Sequence, residues 1–243
     1  MTNEQWTDRS GVRIRYLDNA VPAQRGTLPI VFSPGVVDDA DDYHALLEHF
    51  SARRVIVVDV RGRGRSESPP KGYAVGHLAD DLAAAIDEAG INQFHLMTFS
   101  RGTPTALEVA FRRPERVVSL SIGDYRAAEI QLPDSWPEAE WGLRWRGKPV
   151  PERVQRHVLD GIQQDAVARD LWDDVAALRI PVLVAHGTVA GSIVDTGALD
   201  RFAEAISEVE FAPIPGAGHD LFRPDRLAYP RAVEQFVARV EHS

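Results

Sequence analysis

Short apolar runs alternate with amphipathic segments along this chain. That alternation limits the fold to a mostly parallel β-sheet flanked by helices. Leu28–Ser33 (LPIVFS) and Val55–Val60 (VIVVDV) are nearly continuous apolar runs, as strands covered on both faces must be. Phe94–Phe99, Val117–Ile122, Pro181–Ala185 and Val209–Ile214 follow as further strands. Val12–Leu17 (VRIRYL) alternates with period two and reads as an early antiparallel strand. Helices are expected at His77–Ala89, where Leu78, Leu82 and Ile86 recur four residues apart, and at Pro104–Phe111, Ala198–Ile206 and Arg231–Val240. The stretch from Tyr125 to Leu178 is too long for a simple crossover and holds Trp136, Trp141, Trp145 and Trp172. The expected organisation is therefore one α/β core, residues 1–124 and 179–243, with a helical cap insertion at 125–178.

Composition narrows the function. The formal net charge of −9 argues against nucleic acid and anionic membrane surfaces, both of which require basic footprints. With no cysteine in the chain, disulfides, thiolate nucleophiles and cysteine-based metal sites are excluded. Met1–Ser10 is polar and reads as no signal peptide, and no apolar run reaches the length of a membrane span. The expectation is a cytoplasmic protein acting on a small molecule without cofactor or metal. The sequence leaves its oligomeric state open.

The strongest local signal is Thr98-Phe99-Ser100-Arg101-Gly102-Thr103, where a strand gives way to a helix. A serine in such a tight turn exposes its hydroxyl above the sheet edge, and small residues two before and two after let the backbones pass. Threonine stands where G-x-S-x-G has its first glycine. On these six residues alone, a helix N-cap serine is an equal reading. A base has to follow the last strand, and Gly216-Ala217-Gly218-His219-Asp220 lies just past Val209–Ile214. Among the other seven histidines, only His186, at a strand end, competes for this role.

Taken together these motifs resemble the α/β-hydrolase superfamily over nearly the whole chain. The likeness rests on Ser33-Pro34-Gly35, the run Asp59 to Ser66 (DVRGRGRS), the Ser100 turn, Pro181 to Gly187 (PVLVAHG) and the Gly216–His219 loop. It implies a Ser100–His219–acid triad, with an oxyanion hole formed by the N–H groups of Val36 and Arg101. In most such enzymes the acid lies three or four residues after the position of Gly187, but here those residues are Ala190 and Gly191. Asp124, at the end of the preceding strand, takes the role instead, an arrangement that resembles one branch of the haloalkane dehalogenases. Asp195 is second choice and could equally cap the next helix.

The Arg101 guanidinium is expected to pair with Asp59 or Glu108 rather than bind an anion. The run Asp38 to Asp42 reads as a solvated helix N-terminus that would disfavour anionic substrates if it faced the site. Arg144, Arg146, Lys148, Arg153 and Arg156 read as a surface cluster. A serine nucleophile argues against dehalogenation and epoxide opening, because a serine ether would be a dead end. It points to acyl transfer on an ester, lactone or thioester. Carbon–carbon bond hydrolysis, perhydrolysis on the same triad, and a binding protein that has lost turnover are the alternatives.

Overall fold

In the computed structural model, which describes residues 2–22, 24 and 26–242, eight strands form one sheet. They are β1 (Asn3–Arg9), β2 (Val12–Asp18), β3 (Ile30–Ser33), β4 (Val55–Asp59), β5 (Phe94–Thr98), β6 (Val117–Gly123), β7 (Val182–Gly187) and β8 (Val209–Ile214). Their spatial order is β1-β2-β4-β3-β5-β6-β7-β8. Pairing is antiparallel at β1–β2–β4 and parallel from there on. The central strands β3, β4 and β5 are buried at every position, which explains their nearly continuous apolar runs.

Helices cover both faces. On one side α2 (Val75–Glu88), α3 (Gly102–Arg112), α6 (Trp172–Ala177) and α7 (Thr196–Ala205) pack on Val31, Leu96, Leu120 and Val184. On the other, α1 (His44–His49) and α8 (Ala228–His242) cover Phe32, Val57, Met97 and Ala185. This is the α/β-hydrolase fold, a mostly parallel sheet between two helical layers.

Two features differ from the sequence expectation. Strand β1 lies within the polar N-terminal stretch; it is an edge strand with largely exposed side chains, held by its ladder to β2. The insertion is not purely helical. It holds α4 (Trp136–Trp141), α5 (Arg156–Asp165) and two short ribbons, Ala128–Glu129 with Arg169–Asp170 and Arg144–Trp145 with Lys148–Pro149. Its last helix, α6, joins the layer over the sheet through Trp172, whose ring meets Phe202 at 4.6 Å and 68°. An edge-to-face pair of this kind adds about 1 kcal/mol beyond the area it buries.

Helix α8 is fastened at its C-terminal end by Glu241. Its carboxylate accepts two 2.6 Å hydrogen bonds from Arg53 and one of 2.7 Å from the Leu28 N–H, and contacts His95 Nε2 at 3.2 Å. Burial alone would push this carboxyl up. The Arg53 and Leu28 hydrogen bonds outweigh it and hold the group at about 2 against an ordinary 4.5. A depressed folded-state pKa contributes stability that is complete above 4.5 and is lost as pH falls toward about 2. Glu241→Gln is expected to lower unfolding stability by about 2–3 kcal/mol at neutral pH. Urea unfolding should show the gap between variant and wild type closing as the pH approaches 3, an approximate midpoint of that window. A gap that stays constant with pH would disprove the linkage.

Candidate active site

The turn between β5 and α3 holds Ser100 at φ 53°, a left-handed conformation that a serine adopts only when its surroundings enforce it. The Ser100 N–H donates to Gly123 O at 2.9 Å, and Gly102 and Thr103 donate back to Phe99 and Ser100 at 2.9 Å each. A Cβ on Gly102 would lie 2.2 Å from the carbonyl oxygens of Ser33 and Pro34, so only glycine fits two residues after the serine. Thr98, two before, is tolerated because its buried hydroxyl pairs with Thr103 Oγ1 at 2.9 Å.

The Ser100 hydroxyl lies 2.8 Å from His219 Nε2, and His219 Nδ1 lies 2.8 Å from Asp124 Oδ2. With Nδ1 protonated, the imidazole donates to the carboxylate and Nε2 is free to accept the Ser100 proton. The His219 ring stacks on Phe99 at 5.2 Å. Its loop sits tightly against the end of β7, where a Cβ on Gly187 would be 2.2 Å from Gly218 O. The three residues singled out in the sequence are thus brought into one hydrogen-bonded chain at the carboxyl edge of β5 and β6.

Asp124 follows β6, is fully buried and has φ 45°. It accepts from Ser192 Oγ at 2.5 Å and from the Ile193 N–H at 2.9 Å, in addition to His219. Burial pushes its carboxyl up, but the hydrogen bonds from His219, Ser192 and Ile193 prevail, and it lies below the ordinary aspartate value. The loop after β7 therefore supplies donors rather than a carboxylate. Sequence reasoning missed Ser192 and Ile193, because a backbone N–H and a loop serine carry no distinguishing signature. Asp195 caps α7 through the Ala198 N–H at 2.8 Å, and its exposed side chain pairs with Arg126. His186 hydrogen-bonds only the Gly187 carbonyl among the described residues.

Val36 and Arg101 both line the cavity that holds Ser100, and neither backbone N–H donates to a protein acceptor among the described residues. The cavity measures about 340 Å³, and its walls include Leu132, Trp136, Leu143 and Trp145 from the insertion. Among the described residues no cluster of His, Cys, Asp or Glu could hold a metal ion, and no helix is long and apolar enough to cross a membrane.

Several charges stand elsewhere than expected. Asp59 pairs with Arg15 at 2.9 Å and Glu108 with Arg112 and Arg169, so neither meets Arg101. Arg146 and Arg153 are buried rather than superficial. Arg146 forks onto Asp220 at 2.9 and 3.0 Å and lies 3.4 Å from Asp38, while Arg153 binds Asp42. Asp39 caps the turn Ala40–Tyr43 as anticipated for a helix start, but Asp38 is only 2% exposed and accepts from Tyr43, from Trp145 and from the Gly35 N–H. The apolar surroundings of these charges make full pairing necessary.

The sequence profile of the α/β hydrolase fold matches residues 29–140. A non-heme chloroperoxidase of Streptomyces lividans is 27% identical over 93% of this chain and 99% of its own. An α/β hydrolase from a Medee basin deep-sea metagenome library superposes with a TM-score of 0.82 at 18% identity, over 96% of this chain and 97% of that one. The enol-lactonase of Burkholderia xenovorans LB400 gives 0.75 at 21% identity, over 96% and 100%. The chain thus has the α/β-hydrolase fold and, over residues 29–140, is similar in sequence to that superfamily.

Proposed function

We propose that the protein is a serine hydrolase of a small ester-like substrate, a carboxylic ester, lactone or thioester, working through an acyl-enzyme on Ser100. The observation that carries this is the Ser100–His219–Asp124 relay, with 2.8 Å at both contacts and the serine held in its strained turn. His219 takes the Ser100 proton as Oγ bonds to the carbonyl carbon. The N–H groups of Val36 and Arg101 receive the oxyanion. Collapse breaks the bond to the leaving group, which departs with the proton from His219. Water, deprotonated by the same imidazole, then releases the acid and regenerates Ser100. Asp124, held below the ordinary aspartate value, stays ionised throughout and stabilises the imidazolium.

A fluorophosphonate probe is expected to label Ser100 stoichiometrically and to abolish hydrolysis of p-nitrophenyl esters. An unlabelled protein, or labelling at another residue with activity intact, would exclude the reading and favour a binding protein that has kept the pocket alone. One observation favours a second activity on the same relay. The Streptomyces lividans relative, similar over nearly the full chain, is named a chloroperoxidase. If hydrogen peroxide replaces water in the second half-reaction, the acyl-enzyme is released as a peracid, which can oxidise halide. Bromide oxidation that depends on added acetate and on Ser100 tests this.

A further inference from the structure

The guanidinium of Arg101 forms no ion pair among the described residues, because the carboxylates expected to meet it are engaged elsewhere. It lies 6.0 Å from the Trp136 ring centroid on the wall of the Ser100 cavity. Tyr125 lines the same cavity, and its buried hydroxyl has no hydrogen-bond partner among the described residues. Arg101 is the principal charge acting on that phenol. Arg63 also flanks Arg101; it is 6% exposed and among the described residues bonds only to the carbonyls of Val36 and Arg61. Burial pulls Arg63 down to about 10, with Arg101 acting in the same direction, so Arg63 remains a cation at neutral pH. A buried donor with no acceptor is costly, and folded proteins retain such a group where a ligand completes it.

We propose that Arg101 and Tyr125 form an anion subsite that receives a carboxylate on the acyl part of the substrate, so that the preferred substrate is a half-ester of a short dicarboxylic acid. This rests on Ser100 being the nucleophile. The planar guanidinium presents paired N–H groups that match a carboxylate, and the phenol adds a third donor. Ile130 and Leu132 on the neighbouring wall offer nothing to the further oxygens of a phosphate, and Trp136 offers at most its single indole N–H. The acyl side follows from the two ends of the cavity. The leaving group must depart beside His219, which packs with Phe99 and Trp145, whereas Arg101 lies with Trp136. Asp38 does not oppose the anion, since Arg146 and the Trp145 N–H neutralise it. Glu140 is the acid on this wall without an ion-pair partner among the described residues. Burial pushes its carboxyl up and Arg101 pulls against that.

The test compares kcat/KM for mono-p-nitrophenyl glutarate with that for the neutral p-nitrophenyl butyrate. The wild type is expected to favour the half-ester by about a hundredfold, the worth of charge-assisted hydrogen bonds at a desolvated site. Arg101→Gln and Tyr125→Phe should each cut the ratio about tenfold, and Glu140→Gln should raise it. Because the ratio is taken within each variant, any disturbance of the backbone donor at residue 101 cancels. Calorimetry with Ser100→Ala should show glutarate binding that Arg101→Gln abolishes. A wild-type ratio near one, or a preference that survives both Arg101→Gln and Tyr125→Phe, overturns the subsite while leaving the Ser100 reading intact. Glutarate binding that depends on Arg101, in a protein that cleaves neither ester, would sink the nucleophile and keep the subsite.

Discussion

Replacing Ser100 by alanine is expected to lower kcat for ester substrates by about 10⁶-fold, and adding His219→Ala to that variant is expected to cost almost nothing more. The two side chains share one proton across 2.8 Å, so removing either removes the same function. The residual rate should still exceed that in water by about 10³-fold, since the cavity and the backbone donors at Val36 and Arg101 remain. Stability makes the test sharper. Ser100 sits at φ 53°, where every residue with a Cβ is strained by about 1–2 kcal/mol and glycine is not. Ser100→Gly should therefore be as inactive as Ser100→Ala yet more stable by about 1 kcal/mol, read from the midpoint of urea unfolding. Losses that multiply in the double variant would mean that serine and histidine act independently, and the proposed relay would have to be abandoned.

That strained turn is also where sequence reasoning worked best. A tight strand-to-helix crossing leaves a local signature, a serine with Gly102 two residues later, because a Cβ there would collide with the backbone of Ser33 and Pro34. Strands β3 to β7 were legible for an equally direct reason, since burial on both faces demands apolar side chains. Strand β1 was not. Its side chains are mostly exposed, its order comes from backbone hydrogen bonds to β2, and NEQWTDR carries no apolar periodicity. Much of the insertion was illegible because, apart from α5, its helices α4 and α6 have six residues each and its strands two, lengths too short for any period to show. Asp124 could be singled out from order alone, one helix and one strand after Ser100. The partners of Arg101 could not, because charge pairing depends on which carboxylates other arginines take, and Arg15, Arg112 and Arg169 took them.

Arg146→Met is expected to destabilise the protein by about 3–5 kcal/mol, because it removes one member of a buried ion network and leaves its partners charged. Arg146 and Gly147 form the two-residue turn of the ribbon Arg144–Trp145 with Lys148–Pro149, both at positive φ, 47° and 87°. Glycine is at ease there and arginine is not, so something must hold it. Its guanidinium lies 4.9 Å from the Tyr43 ring and 5.1 Å from that of Phe222, forks onto Asp220 and reaches Asp38. Asp220 directly follows His219, and Asp38 holds the Gly35 N–H in the loop that carries Val36. One side chain of the insertion thus fixes both the loop that carries His219 and the loop that carries Val36. A displacement of either by about 1 Å costs on the order of 10²-fold in rate, so kcat should fall together with stability. Adding Asp220→Asn to Arg146→Met removes one of the stranded charges and should recover part of the stability, with a coupling of about 1–3 kcal/mol in the double-mutant cycle. It should not recover kcat, because the loop stays unfastened. Additive destabilisation in that cycle, or full activity in Arg146→Met, would show that the insertion closes over the site without positioning it.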